Sequence, residues 1–160
     1  MSTGITIAKH FIPATVNVLS TMAFITPEAG TPYTKKDHNA TGDVSAIVGI
    51  TGHARGSIAV TFTQSCALAL VHGMLGDDVQ DVDQDTKDAV GEVTNMISGQ
   101  ARATLVQENL VFQGATPIVI MGNGHTICHV CKGPTIAIPF TTPHGEFTVE
   151  FCIDEGAPQS

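Results

Sequence analysis

Apolar residues return along this chain at two periods, and the change of period separates helices from strands. From about Ala8 to Ile25, the residues Phe11, Val18, Met22 and Ile25 recur at helical spacing, with Ala14 and Thr15 between them. Pro13 falls near the first turns of this helix, where proline is tolerated best, and Pro27, Gly30 and Pro32 end it. The period then drops to two. Val44–Ile50 is β-branched and apolar, Gly56–Phe62 alternates, and Thr51–Arg55 joins the two as a hairpin. Gln64–Leu75 is a second, more apolar helix closed by Gly76, and an acidic loop over Asp77–Asp85 follows it. Asp85 or Thr86 can cap a long third helix that runs to about Gln107. The last third predicts strands near Val111–Phe112, Pro117–Met121, Thr126–Val130, Pro134–Thr141 and Glu146–Ile153. Thr142–Gly145 makes a hairpin turn between the last two, and the tail from Asp154 is expected to fray.

No Ser- or Pro-rich linker interrupts these elements. They predict an α+β fold over 1–160, a single domain in which a largely antiparallel β-sheet packs against long helices. The first and central helices carry an echo of one another. Pro13–Ala23 aligns with Gly91–Ala101 at a constant offset, and the Asn, Ser and Ala positions coincide. The two helices are expected to be pseudo-symmetric halves of one architecture.

The central helix has two faces with different purposes. At about 100° per residue, Asp88, Glu92, Asn95, Gly99 and Arg102 fall within about 40° either side of one line. Val90, Val93, Ile97 and Ala101 lie on the far side. Glu92 and Asn95 are one turn apart on the same face. An exposed carboxylate can pair with a partner's cation, and a carboxamide can donate and accept at once, so it can hold a water in a fixed orientation. Gly99, one turn further on, lets another backbone approach. Read without such a partner, the same stripe is a solvated helix face.

Composition narrows the function classes. The chain has 160 residues, 42% hydrophobic and only 14% charged, which suits a folded core rather than disorder. It has no Trp and one Tyr, so the core rests on aliphatic residues and Phe. The formal charge is −8, and seven Lys and Arg are scattered without a patch, which argues against nucleic acid as a partner. No basic start precedes an apolar run, and no apolar span of membrane length occurs. A cytoplasmic protein with no membrane partner is expected, and its four Cys are then expected to be reduced thiols.

Three other constellations compete for function. Asp81, Asp83, Asp85 and Glu92 stand at positions 1, 3, 5 and 12 of a possible calcium loop, but Thr86 replaces the turn glycine and Asp88 an apolar residue. Cys128 and Cys131 form one Cys-x-x-Cys with His125 and His129 close by, but zinc usually needs a second pair, and in a strand the two thiols would face opposite ways. A metal or thiol sensor is the rival this pair supports, and buried thiols are the simpler reading. The remaining histidines accompany no nucleophile elbow and no phosphate-binding glycine loop, so a Ser-His-Asp hydrolase lacks support. Glu108–Gly114 is similar to a protease-cleavage tag, but it is internal and fits the strand pattern.

At this point the chain resembles the CheX branch of the CheC/CheX/FliY chemotaxis phosphatases. Asn17-Val-Leu-Ser-Thr-Met-Ala-Phe24 resembles that family's first helix, and Gly91-Glu92-Val-Thr-Asn95-Met-Ile-Ser-Gly99 its central helix. The family pattern has an Asp or Ser, then Glu-x-x-Asn, then a Pro. Asp88, Glu92 and Asn95 fit, and Pro117 arrives one residue early. The resemblance implies a substrate, the phosphorylated aspartate of a CheY-like response regulator. It implies that Asn95 places the attacking water, that Glu92 pairs with a lysine of the regulator, and that Mg²⁺ belongs to the partner, with no cofactor or metal of this chain's own. Asp88 and Gly99 are expected on the partner-binding surface. On the first helix Asn17 matches the Asn position but Ala14 stands where the Glu would be, so one active site per chain is expected. A homodimer joined through its sheets is also implied. The alternative is a non-catalytic module that docks a response regulator or a flagellar-motor component.

Overall fold

The computed structural model describes residues 3–37, 42–123, 125–127, 129 and 133–154. In chain order the elements are α1 (Thr3–Ala23), β1 (Glu28–Ala29), β2 (Tyr33–Lys35), β3 (Val44–Gly52), β4 (Arg55–Phe62), α2 (Gln64–Leu75), α3 (Val82–Leu105), β5 (Phe112–Gly114), β6 (Ile118–Met121), β7 (Thr135–Thr142) and β8 (Gly145–Asp154). The eight strands form one antiparallel sheet in the order β1-β7-β8-β4-β3-β5, with β2 also on β7 and β6 also on β3. Each edge of the sheet is thus made of two short strands laid end to end. Short edge strands limit pairing with other chains.

Strand alternation sends every second residue to the helix-covered face. Val44, Ala46, Val48 and Ile50 of β3, Ile58, Val60 and Phe62 of β4, and Phe147, Val149 and Phe151 of β8 join one core with all three helices. Phe62, Phe147 and Phe140 stack in sequence, with ring centroids 5.0 and 4.8 Å apart. Such aromatic pairs add to the burial of their area. The start of α2 is held by Thr63, whose hydroxyl accepts the N–H of Cys66, and its end turns at Gly76 with φ +59°. Near the far end of α2, Gly73 lies against α1: a Cβ there would fall 2.2 Å from the carbonyl oxygen of Ala23.

The predicted elements need four corrections. Helix α1 starts at Thr3 rather than near Ala8, which brings Ile7 into the core and leaves Pro13 well inside the helix on its exposed side. Helix α3 starts at Val82, because Asp81 is the cap. The Asp81 carboxylate accepts the N–H groups of Asp83 and Gln84 at 3.1 and 3.3 Å, and Asp85 accepts those of Gln80 and Asp81. Acidic groups at a helix N-terminus meet its unpaired donors and its dipole, so this acidic stretch begins a helix instead of forming a loop. The strand expected over Thr126–Val130 does not form among its described residues, where Thr126 makes a single bridge; Cys128 and Val130 lie outside them. Strands β1 and β2 were not predicted, since two or three residues carry no legible alternation.

The face away from the helices holds a second, polar layer. Glu150 of β8 takes Lys35 Nζ at 2.9 Å and His129 Nε2 at 2.8 Å, and the other nitrogen of His129 hydrogen-bonds Ser57. All three side chains are at least 95% buried. His125 Nε2 bonds Ser45 at 2.6 Å and its Nδ1 bonds the Gly122 carbonyl. The two histidines between β6 and β7 are therefore pinned to this face. Cys152, also on this face, is disulfide-bonded, which corrects the expectation that all four cysteines are reduced thiols. The other sequence candidates of the sensor reading, Cys128 and Cys131, lie outside the described residues. Cys66 is a free thiol, and burial pushes it up to about 11, so little reactive thiolate forms.

Burial pushes the Glu150 carboxyl up, but the hydrogen bonds and charges of His129 and Lys35 outweigh it and hold the group below its ordinary 4.5. A depressed carboxylate stabilises the fold above its unfolded value, and that contribution is lost as pH falls through the folded one. Urea stability is expected to fall as the pH drops below about 4.5, with Glu150→Gln flattening that dependence. At pH 7 the same substitution leaves Lys35 buried beside a neutral amide and is expected to cost roughly 3–5 kcal/mol in the urea midpoint.

Candidate functional site

Helix α3 lies on the sheet with Val90, Val93, Ile97 and Ala101 fully buried. Its opposite side carries Asp88, Glu92 and Asn95, all exposed, then Gly99 and Arg102, both partly covered. The stripe read from the sequence is thus the solvent face of the helix. Glu92 and Asn95 make no hydrogen bond or ion pair with the described residues, while Asp88 accepts from Gln84 Nε2 at 2.9 Å. A Cβ on Gly99 would meet only the Arg102 Nη2, at 3.8 Å, so the space above this glycine is otherwise open. Gly91, on the other hand, packs: a Cβ there would sit 3.2 Å from Val119 of β6.

Arg102 departs from a simple surface position. Its Nε–H donates to the buried Ser98 hydroxyl at 3.2 Å. Its guanidinium lies against Gly114 of β5, where a Cβ would fall 2.9 Å from both Cζ and Nη2. Sequence spacing placed Arg102 on the polar stripe but could not show that β5 would end beneath the side chain.

Helix α1 runs beside α3 in the opposite direction. His10 bonds Thr104 at 2.9 Å, and Asn17 Nδ2 donates to Gln100 Oε1 at 2.9 Å. The amide of Asn17, which matches the Asn of the central helix, is therefore engaged by α3, and Ala14, one turn back, is buried without an acid. That favours a single stripe, the one on α3. Helix α1 ends on Phe24, which has φ +58° and is 83% exposed. The following Ile25 turns into the core and its N–H reaches the Leu19 carbonyl. Glycine is the usual residue at this left-handed helix end. The apolar periodicity of α1 includes Ile25 but gives no sign that Phe24 is flung outward.

Among the described residues no group of three or more His, Cys, Asp or Glu side chains could hold a metal ion, and no helix is long and apolar enough to cross a membrane. Asp81 and Asp85 of the candidate calcium loop are used as helix caps.

A single antiparallel sheet with three helices on one face is the fold that this chain shares with CheC- and CheX-like proteins. The model of the family described as chemotaxis phosphatase CheX matches residues 44–141, and the chain belongs to that family. It is 70% identical to a CheX chemotaxis protein from Desulfovibrio desulfuricans, whose crystal structure superposes with a TM-score of 0.89 over 93% of this chain and 99% of that one. A CheX-CheY-BeF3-Mg²⁺ complex from Borrelia burgdorferi matches at 28% identity and a TM-score of 0.72, covering 92% of this chain and 97% of that one. The CheY-P phosphatase CheX of Thermotoga maritima is 28% identical over 99 residues, which are 61% of this chain and 64% of that relative. The chain thus spans just under two thirds of the length of that relative.

One test of this geometry concerns Phe24. A left-handed conformation costs a non-glycine residue about 1–2 kcal/mol, more than the roughly 0.4–1 kcal/mol that the extra freedom of an unfolded glycine costs. Phe24→Gly is expected to raise stability by about 0.5–1 kcal/mol in urea unfolding, whereas Phe24→Ala, still an L-residue, gives no such gain.

Proposed function

We propose that this protein removes the phosphoryl group from the phospho-aspartate of a CheY-like response regulator. The observation that carries the reading is the pair of unengaged polar side chains, Glu92 and Asn95, one turn apart on the open face of a rigidly seated helix. Family membership supports the activity, and the complex of the Borrelia relative with CheY supports the partner.

An acyl phosphate whose charge is already neutralised by a metal is a reactive bond. What a helper must add is orientation of the attacking water and exclusion of unproductive geometries. In this reading the Asn95 carboxamide oxygen accepts a hydrogen bond from the water and its NH2 donates to a neighbouring oxygen, which aims the water's lone pair along the line of the breaking bond. Glu92 pairs with a lysine of the regulator and sets the depth at which Asn95 enters. Asp88 extends the acidic patch, and Gly99 lets the partner's backbone come close. No nucleophile of this chain is needed, and Mg²⁺ is assigned to the partner. The reading includes a homodimer, for which the apolar edge strand β6, with Ile118 68% exposed, is the supporting feature.

The test is phosphate loss from a purified CheY-like receiver charged with a small-molecule phosphodonor. Added protein is expected to accelerate it, and Asn95→Ala is expected to lose about a hundred-fold or more in kcat with binding retained. Glu92→Ala is expected to raise KM about ten-fold, the size of one lost charged hydrogen bond. Decay unchanged by the wild-type protein would sink the phosphatase reading for that regulator, and binding without acceleration would favour a docking module.

A further inference from the structure

We infer that Arg102 is a second docking point, a seated cation that takes a surface carboxylate of the phosphorylated receiver and so fixes the direction in which the partner lies along α3. This rests on the phosphatase reading and deepens it, because it assigns the residue of the polar stripe that the water-positioning mechanism leaves unused.

The first observation is the seat. Two glycines, Gly99 and Gly114, leave the space that the guanidinium occupies, and a Cβ at Gly114 would collide with it. Ser98, buried, fixes the Nε end. A long cationic side chain is normally mobile at a surface; here a hydrogen bond to Ser98 of α3 fixes one end and the guanidinium lies over Gly114 of β5. Ordering it in the free protein removes an entropy cost that a partner would otherwise meet on binding.

The second observation is the unspent hydrogen bonding. A guanidinium has five N–H donors, and in this structure only Nε–H has a partner among the described residues. Among the described residues no carboxylate pairs with it. The chain has a formal charge of −8, yet none of its described acids reaches this arginine. Neither Nη group has a hydrogen-bond partner among the described residues, and the guanidinium fork can match a carboxylate bidentately.

The third observation is position. The guanidinium reaches back to the level of Gly99, one turn of about 5.4 Å beyond Asn95. Asn95 also leans toward the helix N-terminus, as helical side chains do, and so away from the guanidinium, which stays about a turn or more from a phosphoryl group held at the Asn95 amide in this reading. Its ligand is therefore a neighbouring carboxylate on the partner rather than the reacting group. The stripe becomes an ordered series of acid, amide, clearance and cation. Such a series meets a partner that offers a cation at one end and a carboxylate at the other, and it opposes the reversed orientation by like charge at both ends.

The competing account is a strut: Arg102 does no more than tie α3 to β5. Kinetics on the phosphorylated receiver separate the two. Arg102→Gln is expected to raise KM about ten-fold with kcat within two-fold, and Arg102→Lys, which keeps the charge but neither the bidentate fork nor the planar packing on Gly114, is expected to recover only part of that loss. The wild-type KM should rise with added salt more steeply than that of Arg102→Gln. Melting temperatures of the two variants check that both fold. Equal KM for wild type and Arg102→Gln overturns the inference, as does a KM defect in Arg102→Gln whose salt dependence equals that of the wild type, which marks a strut. Should wild-type protein fail to accelerate phosphate loss, the phosphatase reading falls by itself. Arg102 is then judged by receiver binding, where the same ten-fold loss in Arg102→Gln upholds the docking role and its absence refutes it.

Discussion

The seating of α3 on the sheet is the contact on which the rest of this structure depends. Val90, Val93, Ile97 and Ala101 are fully buried, so the helix has one rotational setting about its own axis. Turning it by one residue would lift part of that apolar row into water at about 25 cal/mol per Å² of exposed apolar area. Because the inner row is fixed, the outer row is fixed too. Asp88, Glu92, Asn95 and Gly99 face solvent not through contacts of their own but because the opposite face has nowhere else to go. Gly91, closed against Val119, sets how near the helix comes to β6.

The neighbours of α3 complete the surface. Helix α1 lies against one flank and occupies its own asparagine with Gln100, so the two related helices differ in what they leave available. On the other flank β5 ends beneath Arg102 and turns a flexible cation into a placed one. The far side of the sheet is a separate polar layer in which Glu150, Lys35, His129 and Ser57 satisfy one another. Buried charges of this kind stabilise only while every partner is present, and they specify which segment covers that face. The exposed stripe of the proposed site and the buried polar layer thus lie on opposite sides of one sheet.

This division suits a helper whose substrate is another protein. A partner that carries the bond to be broken, and the charge needed to polarise it, leaves little for this chain to supply except shape and a few polar atoms at fixed depth. A rigid helix face does that better than a loop, since its side chains inherit the precision of the backbone below them. The acidic balance of the chain suits a partner with a lysine to offer, and in the proposed docking the guanidinium of Arg102 would set that partner's direction.

Periodicity by itself determined the three helices, the extent of α2, the β3–β4 and β7–β8 hairpins, and the two-faced character of α3. These follow from local rules: which residues recur at 3.6 or at 2, and where glycine and proline interrupt them. The stripe of Glu92, Asn95 and Gly99 was legible for the same reason, since residues on one helix share a frame. Tertiary structure decided what no local rule contains. Asp81 rather than Asp85 became the cap once α3 began a turn earlier. Strands β1 and β2 exist only because β7 offers them an edge. Phe24 was turned outward by a helix end, and Asn17 was claimed by a residue 83 positions away. Arg102 gained its seat from a strand that follows it in the chain. Each of these depends on what lies opposite a residue in space, and a one-dimensional pattern records only what lies beside it.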